Sequence, residues 1–107
     1  MFERQLDCAW RIVAAYERLL GAMVGFARAF SDGAAIAYLA DVYVAPHCRG
    51  LGLGTSIVQG MVDDGPGAKF RWMLHTADAH ELYARFGFSA PDSTLMQRDF
   101  GMPAVRD

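Results

Sequence analysis

Apolar positions along this 107-residue chain change period several times, and each change predicts an element. Residues 35–44 alternate, which puts Tyr38, Ala40, Val42 and Val44 on one face of a strand and Leu39, Asp41 and Tyr43 on the other. Residues 23–30 also read as a strand, through Val24, Phe26 and Phe30. Ser31-Asp32-Gly33 between the two is a turn signal. Further on, Ile57, Val58, Met61 and Val62 form one stripe, predicting a helix over residues 55–64 that Gly65-Pro66-Gly67 ends. Gly60 inside it costs about 1 kcal/mol relative to Ala, which implies close packing there. Phe70, Trp72 and Leu74 then alternate with Arg71, Met73 and His75. A right-handed crossover should return this strand parallel to the previous one. Asp78 with Glu81 resembles a capping box opening a second helix that runs to about Phe86, with Gly87 as a left-handed cap. Phe88 and residues 95–98 read as short final strands, and the tail from Gly101 as loose.

Residues 10–20 fit two patterns. Ile12, Ala15, Tyr16 and Leu19 keep helical spacing, whereas Trp10, Ile12, Ala14 and Tyr16 alternate like a half-buried strand. Propensity leans to helix, because Ala, Glu, Arg and Leu dominate the second half. The strand-like run that follows argues the other way, with Gly21 in a connecting turn.

Composition narrows the class without choosing a function. Residues 1–107 read as one domain, and 53% hydrophobic against 21% charged residues suffices for a real core. A net charge of −2 and a pI near 5.8 argue against a nucleic-acid partner. No apolar run approaches the roughly 18 residues needed to cross a membrane, and the N-terminus does not read as a signal peptide. Cys8 and Cys48 make neither a disulfide framework nor a metal spacing, so free thiols in a reducing cytoplasm, with no metal, are the expectation.

The chemistry concentrates in residues 41–54. Val42, Tyr43 and Val44 run into Pro46, which cannot donate to a ladder, and Gly50, Gly52 and Gly54 follow before the helix stripe begins. Strand, glycine loop and helix start in that order make an anion cradle, since backbone N–H groups can approach a ligand closely and a helix N-terminus is partly positive. A Walker A loop needs Gly-Lys-Ser/Thr, and Thr55 and Ser56 follow Gly54 with no lysine. The dinucleotide fingerprint needs a further glycine where Thr55 stands. Arg49, Gly52 and Gly54 do give Arg-x-x-Gly-x-Gly, which resembles the pyrophosphate loop of the GCN5-related N-acetyltransferases (GNAT). Val24-Gly25-Phe26-Ala27-Arg28 resembles that family's third strand, which pairs as a hairpin with its predecessor, so residues 10–16 are taken as a strand. Leu82-Tyr83-Ala84-Arg85-Phe86-Gly87-Phe88 resembles the family's Leu-Tyr-x-x-x-Gly-Phe.

The resemblance implies an α/β (α+β) fold: a mixed, largely antiparallel twisted sheet with a central parallel strand pair and two main helices. It implies acetyl-coenzyme A (acetyl-CoA) as co-substrate and a primary amine as acceptor, joined by direct attack in a ternary complex. Val42, Tyr43, Val44, Arg49, Gly50, Leu51, Gly52, Leu53, Gly54 and Thr55 would then hold the coenzyme. Thr76 stands where the family commonly has a coenzyme-binding Asn. Backbone groups near Tyr43 and Val44 would face the pantetheine and the acetyl oxygen, and Tyr83 would stabilise the leaving thiolate. Asp41 and His75 are the candidate bases; an unshifted Asp is a weak one, suited to acting through water or to binding the amine's charge. His47 and His80 read as solvent-side residues. The family usually has a strand and two helices before its second strand, and only about nine residues precede Trp10 here. The hairpin face carrying Trp10, Ile12, Tyr16, Val24, Phe26 and Phe30 would stand open, so a homodimer is expected. A non-catalytic coenzyme-binding or dimeric interaction module is the alternative.

Overall fold

The computed structural model describes residues 9–98. Strands β1 (Arg11–Tyr16), β2 (Met23–Ser31), β3 (Ile36–Val44) and β4 (Arg71–Leu74) form one sheet in that order. The first two pairings are antiparallel and β3–β4 is parallel. Helix α1 (Leu53–Met61) makes the crossover between β3 and β4, and α2 (His80–Ala84) follows β4. This is the expected mixed sheet with two helices. Among the described residues its parallel pair lies at the sheet edge, because Phe88 and residues 95–98 form no strand. The expectations for Cys8 and for the tail from Gly101 lie outside the described residues.

Residues 11–16 are a strand despite their helical propensity, because burial alternates along them. Val13 and Ala15 pack against the core while Ile12 and Tyr16 face outward, 44% and 62% exposed. Glu17 and Ala22 close the hairpin (Glu17 N–H to Ala22 O, 2.7 Å), with Gly21 at φ 70°. In the next turn the Asp32 carboxylate accepts from the N–H groups of Ala34, Ala35 and Ile36 at 2.9, 2.9 and 3.1 Å. Those three bonds hold its carboxyl down at about 2.

One irregularity corrects the predicted alternation of β3. Arg28 pairs with Asp41 but Ala29 pairs with Leu39, so Ala40 is an extra residue in a bulge. Leu39 is buried in the core, and Val42 and Val44 pack against it from the same side. Tyr38, Asp41 and Tyr43 therefore share the opposite face, and Tyr38 parts from Val42 and Val44.

All of α1 lies on the core face, where Ile57, Val58 and Met61 are buried over Ala27, Ala29 and Leu39. Close approach is enforced at Gly25, where a Cβ would meet Ile57 Cδ1 at 2.7 Å and the Tyr43 carbonyl oxygen at 2.9 Å. At Gly60 a Cβ would make only an ordinary 3.6 Å contact with Val13, so the tight packing expected there is found on β2 instead. The helix also sits earlier than predicted. Gly52, in the left-handed region, is its N-cap, and Val62 closes it. Trp10, Phe70 and Trp72 cluster beyond its end, where the Trp72 indole donates to Gly67 O at 2.7 Å. With Val24 buried and Trp10 in this cluster, the open hairpin face is narrower than the sequence suggested.

Candidate functional site

The β3–β4 ladder has only four rungs and ends at Leu39↔Leu74. Among the described residues β3 continues from Ala40 to Val44 with no strand partner on that side, so the two strands part in a notch. The Ala45 N–H donates to Val24 O at 2.7 Å, toward β2. Since successive residues of an antiparallel strand alternate sides, the N–H and C=O of Val44 and Val42 face the notch, and those of Tyr43 face β2. Of these groups the Val44 carbonyl accepts from Arg49, and the rest of the row can receive a linear amide-bearing ligand as an added strand.

At the far end of the notch the glycine loop meets the strand. After Val44 the chain makes a 3-10 turn, Pro46–Cys48, with Cys48 a free, half-buried thiol. The Arg49 Nε–H donates to Val44 O at 3.0 Å, and a Cβ on Gly54 would stand 3.7 Å from Val44 Cγ2, so loop and strand end lie close together. Gly50 and Gly52 sit at φ 81° and 82°, with open space where a side chain would stand. The α1 N-terminus has no side-chain cap and no acidic residue in its first turn. The first N–H groups, at Leu53, Gly54 and Thr55, have no intrahelical acceptor and point at that space. An uncapped, glycine-lined helix start is the environment a diphosphate fits. Leu51 projects into solvent, 78% exposed.

Tyr83 lies on α2, buried in the same core cluster as Leu39, Ile57 and Val58. The predicted capping box does not form: Ala79 is the N-cap without a side-chain bond, and the Ala79 N–H donates to Thr76 Oγ1 at 3.1 Å. The C-terminal expectation holds. Gly87 is left-handed at φ 85°, the Phe88 N–H reaches Tyr83 O (3.2 Å) and the Gly87 N–H reaches Ala84 O (3.1 Å). Those two bonds are a Schellman motif, and its hydrophobic closure is the Phe88 ring standing edge-on to Tyr83 at 5.8 Å. The Tyr-x-x-x-Gly-Phe pattern is thus a capping device that fixes the tyrosine. Burial, then the nearby Asp78 charge, raises the Tyr83 pKa above 10.0, so the phenol stays protonated and able to donate at neutral pH.

The two candidate bases lie on the other face of the sheet. Asp41 is paired with Arg28 across the β2–β3 ladder; the arginine side chain is 11% exposed and the carboxylate 47%. Arg28 also stacks over Phe30, 5.1 Å from the ring centroid. His75 follows the last rung of β4. Its Nδ1 is 2.7 Å from Tyr38 Oη, and its Nε2 is 2.7 Å from Gln97 Oε1. His47 and His80 are exposed, as expected. Sequence reasoning missed Arg28, Tyr38 and Gln97. The opposite charges of Arg28 and Asp41 on neighbouring strands were a signal, but only the bulged register places them side by side. Among the described residues no group of three His, Cys, Asp or Glu could hold a metal, and no helix is long and apolar enough to cross a membrane.

Comparison with known proteins identifies the family and agrees with the fold. Residues 9–90 match the acetyltransferase (GNAT) domain family. A Xanthomonas campestris protein described as belonging to the GNAT acetyltransferases is 36% identical, with a TM-score of 0.80 over 91% of this chain and 68% of its own. A Deinococcus radiodurans protein described as an acetyltransferase is 28% identical, with a TM-score of 0.75 over 96% of this chain and 73% of its own. Over 44 residues the chain is 48% identical to serotonin N-acetyltransferase 2 of rice, a stretch that spans only 22% of that protein. With the family model spanning residues 9–90 and a relative 36% identical over 91% of the chain, this protein belongs to the GNAT family of acyl-CoA-dependent N-acetyltransferases.

Proposed function

We propose that this protein transfers the acetyl group of acetyl-CoA to a primary amine by direct attack in a ternary complex. The observation that carries the reading is the notch beyond Leu39↔Leu74, bounded by an uncapped helix start. The N–H groups of residues 50–55 bind the coenzyme diphosphate, with Arg49 holding the loop against Val44. The Val42 backbone groups and the Val44 N–H bind the pantetheine amides, and an N–H there faces the acetyl oxygen as charge develops on it. Holding both reactants in line supplies several kcal/mol of the rate enhancement.

Tyr83 donates a hydrogen bond to the departing sulfur. A phenol near pKa 10 and a thiol near 8.5 make full proton transfer uphill by about 2 kcal/mol, and burial of Tyr83 widens that gap. Stabilisation by hydrogen bonding therefore precedes any proton transfer. Thr76 keeps its hydroxyl hydrogen available to the coenzyme while its oxygen accepts from Ala79. Asp41, with half its side chain in solvent beyond the Arg28 pair, holds the incoming ammonium, and His75 serves as the base. Thermal shift with acetyl-CoA, followed by thiol release against a panel of amines, tests the reading. A coenzyme-dependent rise in Tm and amine-dependent thiol release are expected; no response to acetyl-CoA contradicts it.

A further inference from the structure

We propose that Tyr38, His75 and Gln97 form a proton relay on the open face of the sheet, in which Tyr38 takes a proton from the acceptor ammonium and hands its own to His75. The relay rests on the acetyltransferase reading above and assigns that reaction's base to three residues acting in series.

The hydrogen bonds fix the direction of the relay. A carboxamide oxygen only accepts, so His75 Nε2, 2.7 Å from Gln97 Oε1, carries a hydrogen. In the neutral ring Nδ1 is then bare, and the Tyr38 hydroxyl, 2.7 Å away, donates to it. The Tyr38 oxygen keeps its lone pairs for a substrate proton. This is the logic of a base oriented by a third group, with a neutral amide as the orienting group.

Position on the sheet supports the same assignment. Tyr38 stands one rung before the end of the ladder and His75 just beyond its last rung, where the notch opens. Tyr83, placed at the leaving sulfur, belongs to the helix-covered core on one face. With the core face filled by α1 and Tyr83, an amine reaches the thioester carbonyl from the other face, which carries Tyr38, His75 and Asp41. Because Ala40 is bulged out, Asp41 is the next side chain after Tyr38 on that face, so a carboxylate stands beside the relay to hold a cation. Asp41 is itself held by Arg28, whereas His75 Nδ1 is free to gain a proton.

The balance is as follows. One N–H bond of the ammonium breaks and its proton joins Tyr38 Oη, while the Tyr38 O–H proton moves to His75 Nδ1. His75 becomes an imidazolium whose Nε2–H remains on Gln97. The freed nitrogen lone pair forms the new N–C bond as the carbonyl π bond opens onto oxygen, and collapse of that tetrahedral oxyanion then breaks the C–S bond. The second proton lost on amide formation balances the one gained by the thiolate, and His75 releases its proton to solvent.

The ground state is read by 15N NMR of His75 in the free protein, where the Nε2–H tautomer is expected; an Nδ1–H tautomer would overturn the relay. Tyr38→Phe keeps the ring and is expected to lower kcat/KM for alkylamines, which arrive as ammonium ions, by about 100-fold. The loss should be much smaller for hydroxylamine at mildly alkaline pH, where it arrives neutral, and acetyl-CoA affinity should not change. Gln97→Leu should lower kcat and blur the tautomer signal, and Gln97→Glu, which still presents an oxygen, should restore both. Equal losses for alkylamines and hydroxylamine in Tyr38→Phe, or no loss at all, would make Tyr38 a packing residue and defeat the proposal. A wild-type protein that binds acetyl-CoA yet acetylates neither class defeats the acetyltransferase reading, and the relay with it.

Discussion

At the scale of single residues, burial and hydrogen bonds decide roles that identity alone leaves open. Tyr83 was legible as a candidate from Leu-Tyr-x-x-x-Gly-Phe, but only its buried setting shows why it remains a donor. Tyr83→Phe should therefore lower turnover by about 10- to 1,000-fold with coenzyme affinity nearly unchanged, since the lost bond forms chiefly in the transition state. Steady-state kinetics beside calorimetric titration check this, and equal turnover in the two proteins would reduce Tyr83 to packing. Asp41 and His75 were also visible as titratable groups near the right strands. Their partners were not, because Arg28, Tyr38 and Gln97 are 13, 37 and 22 residues away from them in the chain. Such separations carry no local pattern.

At the scale of elements, the turns and the glycine loop were the most readable parts, because glycine and proline constrain the backbone through local sterics. Gly87 was anticipated as a left-handed cap from its neighbours alone, and both it and Gly52 adopt that conformation. What could not be read was the bulge at Ala40, since a bulge depends on which residue stands opposite. One extra residue reassigns the faces of β3 and brings Tyr38 and Asp41 together. The helix ends missed for a related reason: Asp78 and Glu81 fit a capping pattern, but Thr76 supplies the oxygen. Gly87 also gives a test of the capping device. Gly87→Ala finds open space for its Cβ but not a comfortable backbone, at a cost of about 1–2 kcal/mol. Chemical denaturation should show that loss, and kcat should fall as Tyr83 loosens; Gly87→Asn, which tolerates the conformation better, should be milder. A Gly87→Ala protein with unchanged kcat would show that the cap does not position Tyr83.

At the scale of the whole molecule, the sheet has one face under α1 and one without a helix among the described residues. Ile12, Tyr16, Ile36 and Tyr43 are 44%, 62%, 48% and 42% exposed on or beside that second face, and Leu19 and Leu20 at the hairpin tip are 90% and 80% exposed. Burying such side chains is worth roughly 1.5–3 kcal/mol each, so we propose that a second copy covers this surface and forms part of the acceptor site. Sedimentation at micromolar concentration should give a dimer, and Ile12→Glu should dissociate it; an active monomer would contradict the shared site. The central claim is that the notch and its glycine loop hold acetyl-CoA. Amide NMR during titration with acetyl-CoA tests it most directly. The account predicts that shifts concentrate at residues 42–44 and 50–55, and that Gly52→Val, strained at φ 82° and crowding the cradle, abolishes them. Shifts centred elsewhere, or binding untouched in Gly52→Val, would contradict it.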